Sequence, residues 1–188
     1  MNRTDLADLI HNGENSGVEF KRDDVRPEKL AEEMAALLNL EGGYILLGVE
    51  KDRTVSGLTR TPEKAEEWVM AVARVHLRPA AIPYWETFEW EPGRIVGIVS
   101  LPADSPDKPY KAKLGSAWMT QVRVGTTTRD ATDEEEMRLY QQSGRLQYDR
   151  KPVPGSSVAD LDRPEGDGRA SAPPSRVRRA PRRGPAGG

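Results

Sequence analysis

The chain has 188 residues, no cysteine and a formal net charge of −2, which excludes disulfides, zinc–thiolate centres and cysteine nucleophiles and fits a reducing cytoplasm. The charge is uneven: residues 151–188 carry eight Lys/Arg against four Asp/Glu, so that stretch is +4 and the remainder −6. The first residues lack the apolar core of a signal peptide, and the longest apolar run, Tyr44 to Val49, is too short to span a bilayer, so a soluble, cytoplasmic protein is expected.

In chain order, Leu6, Leu9 and Ile10 share a helical face before Gly13, which predicts a short first helix with a glycine stop. Gly17 to Arg22 reads as the first strand. Pro27 opens a second helix in which Leu30, Met34, Leu37 and Leu38 recur at helical spacing up to Asn39. Gly42-Gly43 then turns the chain into an apolar strand ending at Val49, with Thr54 to Leu58 as its expected short hairpin partner. Thr61-Pro62-Glu63 caps a third helix, with Trp68, Val69, Val72 and Val75 facing inward until Pro79 stops it.

The second half is richer in strands. Tyr84 to Trp90 alternates, Glu91-Pro92-Gly93 turns and Arg94 to Leu101 returns, the pattern of a hairpin with one buried face. Further strands are expected near Pro109 to Lys113 and Trp118 to Val124, and Thr132 with Glu135 forms a capping box for a last helix through about Tyr140. This order argues for an α+β domain with a mixed or antiparallel sheet and three to four helices, over residues 1–150. Gly42-Gly43 precedes a strand, whereas a phosphate loop follows one, so no ATP site is supported. From 151 to 188 the composition turns to Pro, Gly, Ser and Arg with almost no large apolar residue, which predicts a disordered tail. Its acid-free end, Arg176 to Arg183, suits phosphate contacts or serves only as a solubilising end.

Three acids invite a chemical reading. Glu14 and Glu19 precede and enter the first strand, and Glu50 follows the apolar one. Side chains alternate in a strand, so Glu19 and Lys21 project from one face and Val18 and Phe20 from the other. Carboxylates suit Mg2+ or Mn2+, and a lysine can hold a phosphate, so a metal-dependent phosphodiester site is one reading. The other is an amphipathic edge strand with a solvated Glu and Lys. His11 and His76 have no second ligand at metal spacing, and Trp85, Phe88, Trp90 and Trp118 are read as core rather than as base-stacking groups.

The run Glu14-Asn15-Ser16-Gly17-Val18-Glu19-Phe20-Lys21, the segment Leu37 to Glu50, and Val55-Ser56-Gly57-Leu58 together resemble the Schlafen AlbA_2 domain. Lys108-Pro109-Tyr110, Gln121 to Arg129 and the helix from Glu134 to Tyr140 extend the resemblance over roughly residues 5 to 150. Such domains are described as DNA-binding modules in many bacterial proteins, while Schlafen proteins include enzymes that cleave structured RNA. The resemblance implies Glu14, Glu19 and Glu50 as catalytic metal ligands, with Lys21 beside them and Asp52 competing with Glu50 for the third place. Because the folded part is acidic overall, nucleic-acid binding would rely on a local basic surface, for which Lys108, Lys111, Lys113, Arg123 and Arg129 are the candidates, Arg123 and Arg129 matching the family's arginine positions. Schlafen nucleases use two related lobes, whereas this chain has length for one, and a homodimer could supply the second. Three functions follow as expectations: a module binding DNA or RNA, a Mg2+- or Mn2+-dependent endoribonuclease, and a regulatory protein-interaction module.

Overall fold

The computed structural model describes residues 1–144, so the tail at 151–188 and its arginine-rich end lie outside the described residues. Among the described residues, four helices and two four-stranded sheets make up an α+β domain. Helix α1 (Arg3–Asn12) starts at a capping box between Asn2 and Asp5, ends at Gly13 and buries Leu6 and Ile10. Strand β1 (Val18–Lys21) leads to α2 (Pro27–Asn39), and β2 (Gly43–Leu47) follows. Helix α3 (Pro62–His76) is capped by the Thr61 hydroxyl and runs into the two-residue strand β3 (Leu77–Arg78). The hairpin β4 (Tyr84–Glu91) and β5 (Arg94–Leu101) comes next. Then come β6 (Lys111–Leu114), β7 (Ala117–Val124), β8 (Thr127–Asp130) and α4 (Asp133–Gln142), whose N-terminus carries the Thr132/Glu135 capping box.

The first sheet has the order β1-β2-β5-β4, with β1 and β2 parallel and the other pairs antiparallel. Gly43 opens β2 at φ +144°, and a Cβ there would lie 2.3 Å from the Gly17 carbonyl oxygen, so only glycine lets β2 lie against the chain entering β1. The second sheet, β3-β6-β7-β8, is antiparallel. Its hairpins close through two-residue turns, Gly115-Ser116 between Leu114 and Ala117, and Gly125-Thr126 between Val124 and Thr127.

Helix α2 explains why there are two sheets. It is apolar nearly all round, with Leu30, Ala31, Met34, Ala35, Ala36, Leu37 and Leu38 all fully buried, and such a helix must be covered on several sides. It packs in one core with Ile45, Leu47, Val99 and Leu101 of the first sheet, Leu77 and Ala112 of the second, and Val69, Val72 and Ala73 of α3. Helix α1 covers the opposite face of the first sheet, where Leu6 and Ile10 join Val18, Phe20, Leu46, Val96 and Ile98. At the end of α2, the Asn39 amide donates to the carbonyls of Tyr110 and Gln121, each at 2.8 Å, and its oxygen accepts from the Tyr110 N–H at 2.7 Å. That buried side chain fastens the helix to the second sheet.

Several expectations need correction. Strand β5 is buried on both faces at its centre because α1 covers one side and α2 with α3 the other. Thr54 to Leu58 forms no strand; Val49 and Val55 make a single bridge. Val75 is 51% exposed, and Ala65, Val69, Val72 and Ala73 form the buried stripe of α3 instead. No helix among the described residues is long and apolar enough to cross a membrane.

Candidate nucleic-acid interface

The alternation of β1 sorts its side chains as its sequence demands. Val18 and Phe20 enter the core beneath α1, which leaves Glu19 and Lys21 on the face towards α2. Neither is solvated: their side chains are 4% and 11% exposed. Glu19 pairs with Lys21 through one oxygen and with Arg123 of β7 through the other, at 2.6 Å. Glu33, the acid on the buried face of α2, completes the group. It accepts from Arg123 at 3.2 Å and from the Thr128 hydroxyl at 2.5 Å, and faces Lys21 and Lys29, each at 3.4 Å. Arg123 also donates to the carbonyls of Asn15 and Val18 at 2.8 and 3.1 Å. Burial pushes the Glu33 carboxyl upward, but the Thr128 hydrogen bond and the charges of Lys21, Lys29 and Arg123 outweigh it and hold that group below its ordinary range.

The three expected acids make different contacts. Glu14 accepts from the Phe20 N–H at 3.2 Å, and Glu50 stands 4.0 Å from the exposed Arg22 guanidinium. Strands β1 and β2 do pair, but Glu19 lies opposite Ile45, five positions before Glu50, and each position advances a strand by about 3.3 Å. Asp52 is taken up in its own turn, accepting from the Thr54 N–H at 2.9 Å. Mg2+ and Mn2+ need free carboxylate oxygens, whereas both oxygens of Glu19 already face cations. Among the described residues no group of three or more His, Cys, Asp or Glu side chains is arranged to hold a metal ion. The donor set in this arrangement does not fit a divalent cation.

The expected basic surface divides in the same way. Arg123, with a side chain 0% exposed, belongs to the buried group just described. Arg129 makes a two-pronged pair with Glu135, both contacts at 2.8 Å, and with the Thr132 N–H it draws the Glu135 carboxyl down to about 2. Lys108 donates to the Leu40 carbonyl, and burial lowers its ammonium below the ordinary value against the pull of Asp104 and Glu41. These last groups border a cleft of about 660 Å³ where Lys108, Arg123 and Arg138 meet Glu41, Asp104 and Glu135, a balance of charge that favours no anion. Lys111 reaches Glu136 of α4 at 2.5 Å.

Lys113 is different. It lies on the same face of β6 as Lys111, opposite Trp118, with no hydrogen-bond or ion-pair partner among the described residues. Arg78, the cross-strand neighbour of Lys111, joins it on that face, and its guanidinium sits 4.1 Å from the centroid of the Trp118 ring. Arg78 too has no ion pair among the described residues. Ala112, on the other face of β6, packs into the core against α2, so Arg78, Lys111, Lys113 and Trp118 line the outer face of the second sheet. Glu136 occupies the Lys111 end of that face, where it also accepts from the Thr120 hydroxyl at 2.8 Å, and among the described residues no acid pairs with Lys113.

Sequence reasoning missed Glu33 and Arg78. A charged residue at helical spacing with Leu30 and Leu37 was a usable signal for the first. Arg78 gave none, because a two-residue strand after a helix has no periodicity to read.

The fold is similar to two solved structures. One is the DIP2311 protein from Corynebacterium diphtheriae, at 19% identity and a TM-score of 0.51, over 67% of this chain and 24% of that one. The other is the N-terminal domain of a RecG-related protein from Nitrosomonas europaea, a candidate ATP-dependent DNA helicase, at 23% identity and a TM-score of 0.51, over 70% of this chain and 94% of that one. The chain thus spans about a quarter of the Corynebacterium protein, and at these identities the likeness is one of fold. No curated protein matches the chain. Residues 14–132, more than half of the sequence and the part that contains both sheets, match the family described as Schlafen, AlbA_2, and the chain belongs to that family.

Proposed function

We propose that this chain is a nucleic-acid-binding module that engages DNA or RNA through the Lys113 end of the second sheet's outer face. The observation that carries the reading is the pair of cations Arg78 and Lys113, both on the face of Trp118 and without carboxylate partners among the described residues. Arg129, Lys111 and Lys29, by contrast, are matched by acids, while Arg26, Lys51, Lys64 and Arg74 also make no ion pair among the described residues but have no aromatic ring against them. The part of the chain before residue 151 is −6, so attraction to phosphate has to be local, and an unpaired pair of cations supplies it. Membership of the Schlafen AlbA_2 family and the likeness in fold to a domain of a helicase-related protein support the same reading. The +4 stretch at 151–188 adds a second source of phosphate contacts.

The test is binding of labelled single-stranded RNA, single-stranded DNA and duplex DNA to the full chain across a salt series, in chelator and in Mn2+. Retarded, intact nucleic acid in chelator is the expected result, with affinity falling steeply as salt rises. Lys113→Ala should reduce the slope of log K against log salt by about 1. Absence of binding to every probe refutes the reading, and Mn2+-dependent products that disappear in Glu14→Gln would replace it with a nuclease.

A further inference from the structure

We infer that the Trp118 ring, framed by Arg78 and Lys113, is a stacking platform for one base of a single-stranded nucleic acid; the inference rests on the binding reading above and names the form of ligand. The four tryptophans divide sharply. Trp68 and Trp85 pack against the core around α2, and Trp90 packs against the core beneath α1. Trp118 joins neither core. It stands on the outer face of β7, opposite Lys113, so the largest apolar side chain available contributes to no interior.

What touches the ring is itself informative. The Arg78 guanidinium, a flat cation, lies 4.1 Å from the ring centroid and makes no ion pair among the described residues. A guanidinium over an indole occupies the place that a base takes when it stacks. An incoming base would displace Arg78 towards the neighbouring phosphate, which converts a cation–π contact into a base stack and a charge-assisted contact. Lys113 is the register partner of Trp118 on the adjacent strand, so the inference assigns it the next phosphate along the backbone. In a duplex each base face is already covered by its neighbours, so this arrangement selects unpaired strands. One ring on a sheet face, with cations beside it, is tolerant of base identity because every base has a π-face.

The deciding experiment is fluorescence anisotropy of the full chain with labelled oligothymidylate, oligouridylate and a mixed-sequence duplex, using wild type, Trp118→Ala, Trp118→Phe and Lys113→Ala. Trp118→Ala should weaken single-strand binding by about 5- to 150-fold, the loss of one base stack, and leave duplex binding within about twofold. Trp118→Phe should recover most of the loss. The salt slope separates the two roles: Trp118→Ala leaves it unchanged, and Lys113→Ala lowers it by about 1. Equal losses on single strand and duplex, or no loss on either, overturn the stacking platform while leaving binding itself in place. A wild type that binds none of the probes removes both readings together. Melting curves accompany each variant, and a large drop for Trp118→Phe would show that the ring is structural and so also overturn the inference.

Discussion

Two groups of cations on this molecule are built from the same kinds of residue and end in opposite states. Beneath α2, Lys21 and Arg123 meet Glu19 and Glu33, and two positive side chains are matched by two negative ones with hardly any surface in water. On the outer face of the second sheet, Arg78 and Lys113 meet an aromatic ring and solvent. The first group ties β1, α2 and β7 into one body, since Arg123 alone reaches Asn15, Val18, Glu19 and Glu33. The second joins only β3 to β7, through the contact of Arg78 with Trp118. Charge that is spent inside the fold is unavailable to a ligand, and charge that has no internal partner is the part of the surface to test for one.

Breaking the inner group should have the largest effect. Arg123→Met leaves two carboxylates buried without their shared partner, and a loss of about 3–5 kcal/mol is expected in a denaturant melt. A variant that melts like wild type would show that the inner group carries little of the fold. Next comes Asn39→Ala, which strips partners from the Tyr110 N–H and from the Tyr110 and Gln121 carbonyls and should cost about 2–3 kcal/mol by the same measurement. The outer group should respond in the reverse sense: Lys113→Ala should shift stability by less than about 0.5 kcal/mol while it weakens nucleic-acid binding, so paired melting and binding curves sharpen the contrast.

The smallest effect is the response to acid. The folded-state values of Glu33 and Glu135 lie below their ordinary ones, so their contributions are present above the ordinary carboxylate value and fade as the pH falls through the folded one. For Glu135 that window runs from 4.5 down to about 2. Melting temperature should therefore decline across this range, and Glu135→Gln should flatten part of the decline. A flat profile in the wild type would contradict it.

How much of this was legible depends on distance along the chain. The capping box at Thr132 and Glu135, proline at the start of α2 and the apolar spacing of α2 are local signals, and each element formed where they pointed. The shared face of Glu19 and Lys21 was equally local. Their burial was not, because the guanidinium that covers Glu19 comes from 104 residues away. Strand β8 carries no apolar residue and is held by a tight turn and its pairing with β7, which periodicity does not reveal. Trp118 shows the limit most clearly. Alternation in β7 gives two faces, one with Trp118, Thr120 and Val122 and one with Met119, Gln121 and Arg123. The usual expectation sends the tryptophan inward. Here the polar set turns towards α2, because Glu33 supplies a partner for Arg123 and Asp130 one for Gln121 at 2.7 Å.

The two-residue turns at Gly115-Ser116 and Gly125-Thr126 bear on the time course of folding. Strands β6, β7 and β8 lie within twenty residues and need only two short loops to close, whereas β2 must find β5 across more than forty intervening positions. The hairpin that carries Trp118 should therefore gain amide protection early in a pulse-labelled refolding experiment, and β1, whose covering guanidinium arrives with β7, should gain it late.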